Sequence, residues 1–295
     1  MKKMLFSLFA ALLLHTALQA QKNAPQVLLR LDDNGMNHAV TMAIQQVAAT
    51  GIHFSSSVMF ACPWYQEAVA MLKKYPNVSV GVHLVLNSEW KYYRWGPVLG
   101  QTAVPSIVDS NGYFYPSTKE FLESHYKLED VENELAAQIE RALRSGLKID
   151  YIDYHMGTAV STPELRGIIE KLAKRYQLGI SRYFGENYQT MFDVSVADKK
   201  KEFLKRLSAL QPDKVNLQVL HVAQATPEMN ALVDMNNKDQ HSASQPLVAM
   251  HRSTELGMVL SPEFQRLVKT GAIKLVTYKD LVAEKGLESM KAPAQ

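Results

Sequence analysis

The chain has 295 residues, 47% apolar and 21% charged, with a formal net charge of +3 at pH 7. That is enough length for one large domain with a full core. The basic run Lys199-Lys200-Lys201 reads as a solvated helix end, so neither nucleic acid nor an anionic membrane is an expected partner. Cys62 is the sole cysteine, which excludes an intramolecular disulfide and a thiolate zinc cage. Following Val58-Met59-Phe60, it reads as a small buried hydrophobe.

Residues 1–20 read as a secretory signal: Lys2 and Lys3, an apolar run over 5–14, and the exit Ala17-Leu18-Gln19-Ala20. Leu18 blurs the cleavage site. The apolar run is too short to span a bilayer comfortably and no second one follows, so no membrane anchor is expected. The expectation is an exported, periplasmic or extracellular protein with one domain over 21–295 and a core over about 26–285. Losing Lys2 and Lys3 brings the mature charge to about +1. No linker or repeat interrupts the chain, and residues 21–24 and 288–295 are expected to be disordered. Oligomeric state is not written in these residues, and a homodimer stays open.

Short apolar runs then alternate with amphipathic stretches, the pattern of repeated βα units. A strand is predicted at 27–31, followed by a helix capped by Asn37, carrying Val40, Ile44 and Val47 on one face and closed by Gly51. A strand at 52–60, a helix from Pro63 and a strand at 78–86 follow. Residues 88–127 break the rhythm with a long insertion rich in aromatics, Gly and Pro, a length that usually serves function. The alternation resumes with a helix at 128–145, a strand at 148–155 and a helix from Pro163 to about Tyr176. Later come a helix at 197–210, a strand at 215–222 and helices from Pro227, Pro262 and Tyr278, with a strand at 273–276. These make about seven strand–helix pairs, an α/β chain whose natural packing is a single closed or distorted (β/α) barrel.

Barrel enzymes place their chemistry at the C-terminal ends of strands, where Asp32, Asp33, His83, His155 and His221 fall. One aspartate with two neutral imidazoles leaves open positions on a divalent ion, and a spare carboxylate beside it can serve as base. Which aspartate does which is left open by the spacing. Gly35 allows a tight turn that brings both carboxylates together. Singly, a strand histidine is more often a hydrogen-bonded core residue, and an Asp-Asp pair is as often a turn or cap. Together, at three strand ends, they point to metal-assisted hydrolysis. Asp153, two residues before His155 and on the same face, suits a supporting carboxylate beside a metal-bound imidazole, direct ligation being the alternative.

The segments Leu31-Asp32-Asp33-Asn34-Gly35-Met36-Asn37, Gly81-Val82-His83-Leu84, Ile152-Asp153-Tyr154-His155-Met156-Gly157-Thr158 and Val219-Leu220-His221 carry a resemblance. The chain resembles the YdjC-like (ChbG/HpnK) carbohydrate deacetylases, relatives of the polysaccharide deacetylases, from about Val27 to Leu281. Ser88-Glu89-Trp90 through Arg94-Trp95-Gly96-Pro97 is similar to one branch of that family. The resemblance implies a distorted TIM-like barrel that removes N-acetyl groups from amino sugars with a divalent metal, Mg or Zn not being decidable. By position it implies Asp33, His83 and His155 as ligands, Asp32 as general base and His221 as general acid or transition-state stabiliser. Three departures stand out: Asn34 in place of Phe in the Asp-Asp-Phe-Gly signature, Gly157 in place of a second His, and His221-Val222-Ala223 in place of His-Pro.

Trp90, Tyr92, Tyr93 and Trp95 offer flat faces to a sugar, with Arg94 reaching a hydroxyl or carboxylate; alternatively the rings anchor the insertion to the barrel. Trp90, Arg94 and Trp95 are the candidates for substrate contact. His38, His53, His125, His241 and His251 read as structural or exposed; His251-Arg252 lies in a polar late segment that could reach the site from the rim and is not taken as a candidate. The expected partner is thus an N-acetylated carbohydrate. An amidase or esterase acting on another acylated glycan, and a non-catalytic carbohydrate-binding protein, are the alternatives. A serine hydrolase lacks its Gly-x-Ser-x-Gly elbow here.

Overall fold

Residues two apart on each strand share the inner face of one parallel sheet, and this period stacks the barrel interior in layers. The computed structural model describes residues 24–236 and 247–293; the expected signal at 1–20 and His241 lie outside the described residues. The elements run β1 (Gln26–Asn34), α1 (His38–Ala49), β2 (Ser55–Val58), α2 (Tyr65–Leu72) and β3 (Ser79–Leu84). After the insertion, which holds α3 (Thr118–Glu123), come α4 (Leu128–Arg144), β4 (Tyr151–Tyr154), α5 (Pro163–Tyr176), β5 (Gly179–Ile180) and β6 (Asn187–Thr190). The rest is α6 (Lys199–Ser208), β7 (Val215–Leu220), α7 (Pro227–Asn230), α8 (Leu247–Val259), α9 (Pro262–Lys269), β8 (Lys274–Val276) and α10 (Tyr278–Lys285).

The strands pair in the order β5-β4-β3-β2-β1-β7-β6, with β8 added against β1, which makes a curled eight-stranded sheet. Among the described residues no pairing joins β5 to β6, so the barrel is distorted and open there; the Arg182 guanidinium stacks 4.5 Å from the Tyr188 ring across the gap. The barrel floor is apolar: Leu28, Leu217, Val219 and Val276 surround Tyr151 and Tyr278, whose rings lie 4.2 Å apart. A Cβ on Gly81 would stand 2.3 Å from Tyr151 Cζ, so the glycine makes room for the ring of the next strand. Above the floor lies a polar layer of Arg30, Ser57, Asp153 and Ser181, and above that the mouth. The larger apolar core lies between the sheet and the helices, which bury Val40, Ile44 and Val47 of α1 as the helical period requires.

The expected cap forms, Asn37 Oδ1 accepting from Val40 N at 3.0 Å, and the structure adds a capping box of Thr277 with Asp280 on α10. Three expectations change. The strand count is eight rather than about seven, because β5 and β6 span only two and four residues, too short to show a period. His251-Arg252, read as lying in a polar late segment, is part of α8, which buries Arg252 and Glu255 among its apolar residues. The C-terminal tail from 288 was expected to be disordered, yet Lys291 N donates to Tyr183 O at 2.9 Å and Met290 packs on the core. No helix of the described residues is long and apolar enough to cross a membrane.

Candidate active site

Neighbouring strand residues point to opposite faces, so Asp32 and Asp33 need a distortion to converge. The structure supplies it inside β1. Leu31 faces Ser56 and Asn34 faces Val58, so β1 carries one extra residue in a bulge, and Asp33 takes a left-handed φ of 63°. Gly35 follows at φ 81°, with its Cα face against Tyr65, where a Cβ would lie 2.8 Å from Tyr65 Cα. The turn expected at Gly35 is therefore preceded by a bulge at the aspartates themselves.

Asp33 Oδ1, His83 Nε2 and His155 Nδ1 form a near-equilateral triangle with edges of 3.3 Å, 3.4 Å and 3.3 Å. All three residues are buried, and among the described residues Asp33 Oδ1 has no hydrogen-bond partner. An orphaned carboxylate oxygen facing two imidazole nitrogens is the donor set of a small divalent cation. Ligands ~2.1 Å from such an ion stand ~3–3.4 Å apart, which the triangle matches. The residues present therefore fit the metal that the sequence implied.

The charges point the same way. Burial alone would raise the Asp33 carboxyl, but Arg252, His155 and His83 hold it well below the ordinary carboxylate range. Burial works against protonated imidazole, yet Asp153 and Asp32 push His83 well up, and Glu89 and Asp33 push His155 to about 9. Protons on these rings stand where a cation would, and a metal would displace them.

Each triad residue is gripped from behind. His83 Nδ1 lies 2.9 Å from Asp153 Oδ1, a pairing fixed by the β3–β4 register that sets His83 opposite Asp153. Asp153 thus supports the imidazole of the neighbouring strand rather than His155 on its own strand, because side chains level across a parallel pair are closer than those two along it. His155 Nε2 instead lies 3.0 Å from Glu89 Oε2, and Asp33 Oδ2 accepts from Arg252 Nη2 at 2.6 Å. Neither Glu89 nor Arg252 was among the residues expected at the site. The histidine-bearing motif ends before Glu89, and Arg252 lies in a helix without a clean apolar stripe.

Asp32 is not part of the triangle. Arg30 holds it in a fork, Nε to Oδ1 and Nη2 to Oδ2, both at 2.7 Å, and also lies 3.1 Å from Asp153 Oδ2. His221, just beyond β7, places Nε2 3.9 Å from Asp32 Oδ2. Its backbone N–H donates to Glu255 of α8, whose other oxygen meets the buried Lys199. Burial pulls the His221 pKa below the ordinary histidine value, so the ring is neutral at pH 7 as the site stands.

The insertion covers the mouth as a structural wall. Trp90 and Trp95 are 4% and 3% exposed, with their indole N–H groups on Met36 Sδ and Asn87 O. Neither presents a ring face to solvent, and Trp95 lies edge-on to His155 at 6.3 Å. Arg94 is tied to Asp109 at 3.1 Å, to Phe114 O and to Ser88. These three were expected to touch substrate; the structure uses them to anchor the insertion, because a loop of this length must bury its own large side chains. Tyr92, by contrast, is 76% exposed.

Comparison with known proteins agrees with this geometry. The chain is 27% identical over 273 residues to a carbohydrate deacetylase of Enterococcus faecalis (strain ATCC 700802 / V583), covering 87% of this chain and 98% of that one. It is 24% identical over 266 residues to a carbohydrate deacetylase of Brevibacillus brevis, covering 87% and 99%. A crystal structure from Enterococcus faecalis V583, named for cellobiose-phosphate cleavage, superposes with a TM-score of 0.67 at 25% identity, over 88% of this chain and 99% of that one. The profile described as YdjC-like protein matches residues 26–270, and the chain belongs to that family.

Proposed function

We propose that this chain is a metal-dependent carbohydrate deacetylase that hydrolyses N-acetyl groups on amino sugars or their oligosaccharides. The observation that carries the reading is Asp33 Oδ1, buried without a partner between His83 Nε2 and His155 Nδ1. Asp33, His83 and His155 would hold a divalent ion; Mg and Zn both tolerate one carboxylate with two imidazoles, to different degrees. When bound, such an ion supplies Lewis acidity, polarising an acetamide carbonyl and acidifying water.

The chain's own residues do the rest. Asp32 takes the proton from the attacking water, and the Arg30 fork fixes the direction in which its oxygens face. His221 gives a proton to the departing amine. Because it is neutral at pH 7, it must first gain that proton within the turnover, and Asp32 Oδ2 at 3.9 Å offers a short path. Residues 1–20, with their basic start and apolar run, support action outside the cytoplasm.

The test is acetate release from N,N′-diacetylchitobiose with and without a chelator. Release that stops on chelation and returns with added metal supports the reading. Release indifferent to chelation overturns metal dependence, and no release from metal-loaded protein overturns the amino-sugar substrate.

A further inference from the structure

Glu89 and Arg252 reach the triad from segments that are not barrel strands. Glu89 opens the insertion, two residues beyond Asn87, and is 4% exposed; Arg252 lies on α8 and is 7% exposed. The contact of Glu89 is with His155 Nε2, the ring nitrogen turned away from Asp33 and His83. That position excludes Glu89 as a fourth ligand on the triangle. It leaves a definite task. Nδ1 of His155 offers a lone pair to the triangle only when Nε2 carries the ring proton, and a carboxylate on Nε2 accepts that proton. His83 has the opposite assignment: Asp153 sits on Nδ1, and Nε2 faces the triangle.

Arg252 does for the carboxylate what Glu89 does for the imidazole. Its Nη2 holds Asp33 Oδ2, leaving Oδ1 as the only free oxygen, turned toward the two rings. The guanidinium lies over the Trp90 ring at 5.7 Å, so of two adjacent residues Glu89 meets His155 and Trp90 meets Arg252. That dipeptide is pinned on its other side: Met235 N donates to Glu89 O and Lys91 N donates to Val233 O, each at 2.9 Å. A cluster that only stabilised the fold would not need two separate segments each to grip the outward atom of a different triad residue.

We propose that Glu89 and Arg252 are positioning residues for a divalent cation: Glu89 selects the Nδ1-facing form of His155, and Arg252 turns Asp33 Oδ1 into the site. This rests on the metal reading above. The aromatic insertion is then part of the cation site rather than only a cover.

The experiment uses the full chain and Zn²⁺ or Co²⁺ alone, without substrate. Cation affinity is measured by equilibrium dialysis, the ligand field by the visible absorption of the Co²⁺ form, and folding by thermal unfolding of the metal-free protein. Wild type, Glu89→Ala, Glu89→Gln, Arg252→Lys and the exposed control Lys91→Ala are compared. Glu89→Ala is expected to bind roughly 10- to 100-fold more weakly, with an altered Co²⁺ spectrum, and to unfold at a lower temperature when metal-free but still in one cooperative transition. Glu89→Gln, whose amide oxygen still accepts from Nε2–H, and Arg252→Lys, which keeps a cation on Asp33, are expected to lose less. Lys91→Ala is expected to match wild type. Wild-type affinity and spectrum in folded Glu89→Ala, or binding weakened by about 10-fold or more in folded Glu89→Gln, overturn the proposal while leaving the metal reading intact. Absence of cation binding by the wild type overturns both.

Discussion

At the barrel mouth, Asp33, His83 and His155 stand at the ends of β1, β3 and β4, strands whose residues alternate between interior and helix-facing sides except at the β1 bulge. In the cover over that mouth, Glu89 and Arg252 come from a long insertion and from a helix buried on more than one side. The mouth supplies the groups that would touch a cation or a reacting water. The cover supplies groups that touch only those groups. Strand register constrains a backbone to a few tenths of an ångström but leaves a carboxylate or imidazole free to rotate at its end, and the cover removes that freedom.

The comparison breaks most sharply if a mouth residue proves dispensable. Asp33→Ala, His83→Ala and His155→Ala are each expected to lose bound metal and turnover together, read as metal-to-protein ratio and acetate release on the same preparation. A variant that keeps its metal but not its activity would move that residue out of the ligand set. Asp32→Asn is expected to separate the two readouts, retaining metal while kcat falls by ~10²- to 10⁴-fold, the worth of a positioned base. Near-normal turnover in that variant would place the base elsewhere.

Smaller effects sharpen the line between mouth and interior. Arg30→Met leaves Asp32 and Asp153 buried without their cation, and breaking such a pair costs ~3–5 kcal/mol. Urea unfolding should show it, whereas a loss under ~1 kcal/mol would mean that the polar layer is well hydrated. The last effect is that of pH. In the metal-free chain His155 titrates at about 9 against an ordinary 6.5, so the folded form retains a proton that the unfolded form releases between those values. Its contribution to metal-free stability is complete below pH 6.5 and is lost as pH rises through 9. Cation affinity runs the opposite way, climbing with pH toward 9, by up to ~10-fold per unit for the proton displaced from His155. A pH-independent dissociation constant from 6.5 to 9 would show that His155 is already bare in the metal-free protein.

Much of the mouth was legible in the chain because it is written in short-range terms. A run of apolar residues ending in Asp, His or Asp-x-His marks a strand end, and the barrel gathers strand ends in one place. The same local reasoning went astray at Asp153. Its partner is decided by which strand lies beside it, and the β3–β4 register gives it to His83. It failed at Trp90, Arg94 and Trp95, whose composition suits a sugar platform and an anchored loop equally well. Burial decides between those uses, and burial is a property of the packed molecule.

What the amino-acid sequence determined by itself was the alternation of strands and helices, the inner-face residues of β1, β3 and β4, and the donor types at their ends. Hydrophobic period and turn chemistry act within a dozen residues, and one chain carries them without reference to the rest. Only the tertiary structure decided that Asp32 and Asp33 converge through a bulge, that Arg30 forks onto Asp32, and that Glu89 and Arg252 reach the triad. Those contacts join residues as far apart as Asp33 and Arg252, and they exist because parallel strands and the segments covering them close on one another when the core is buried.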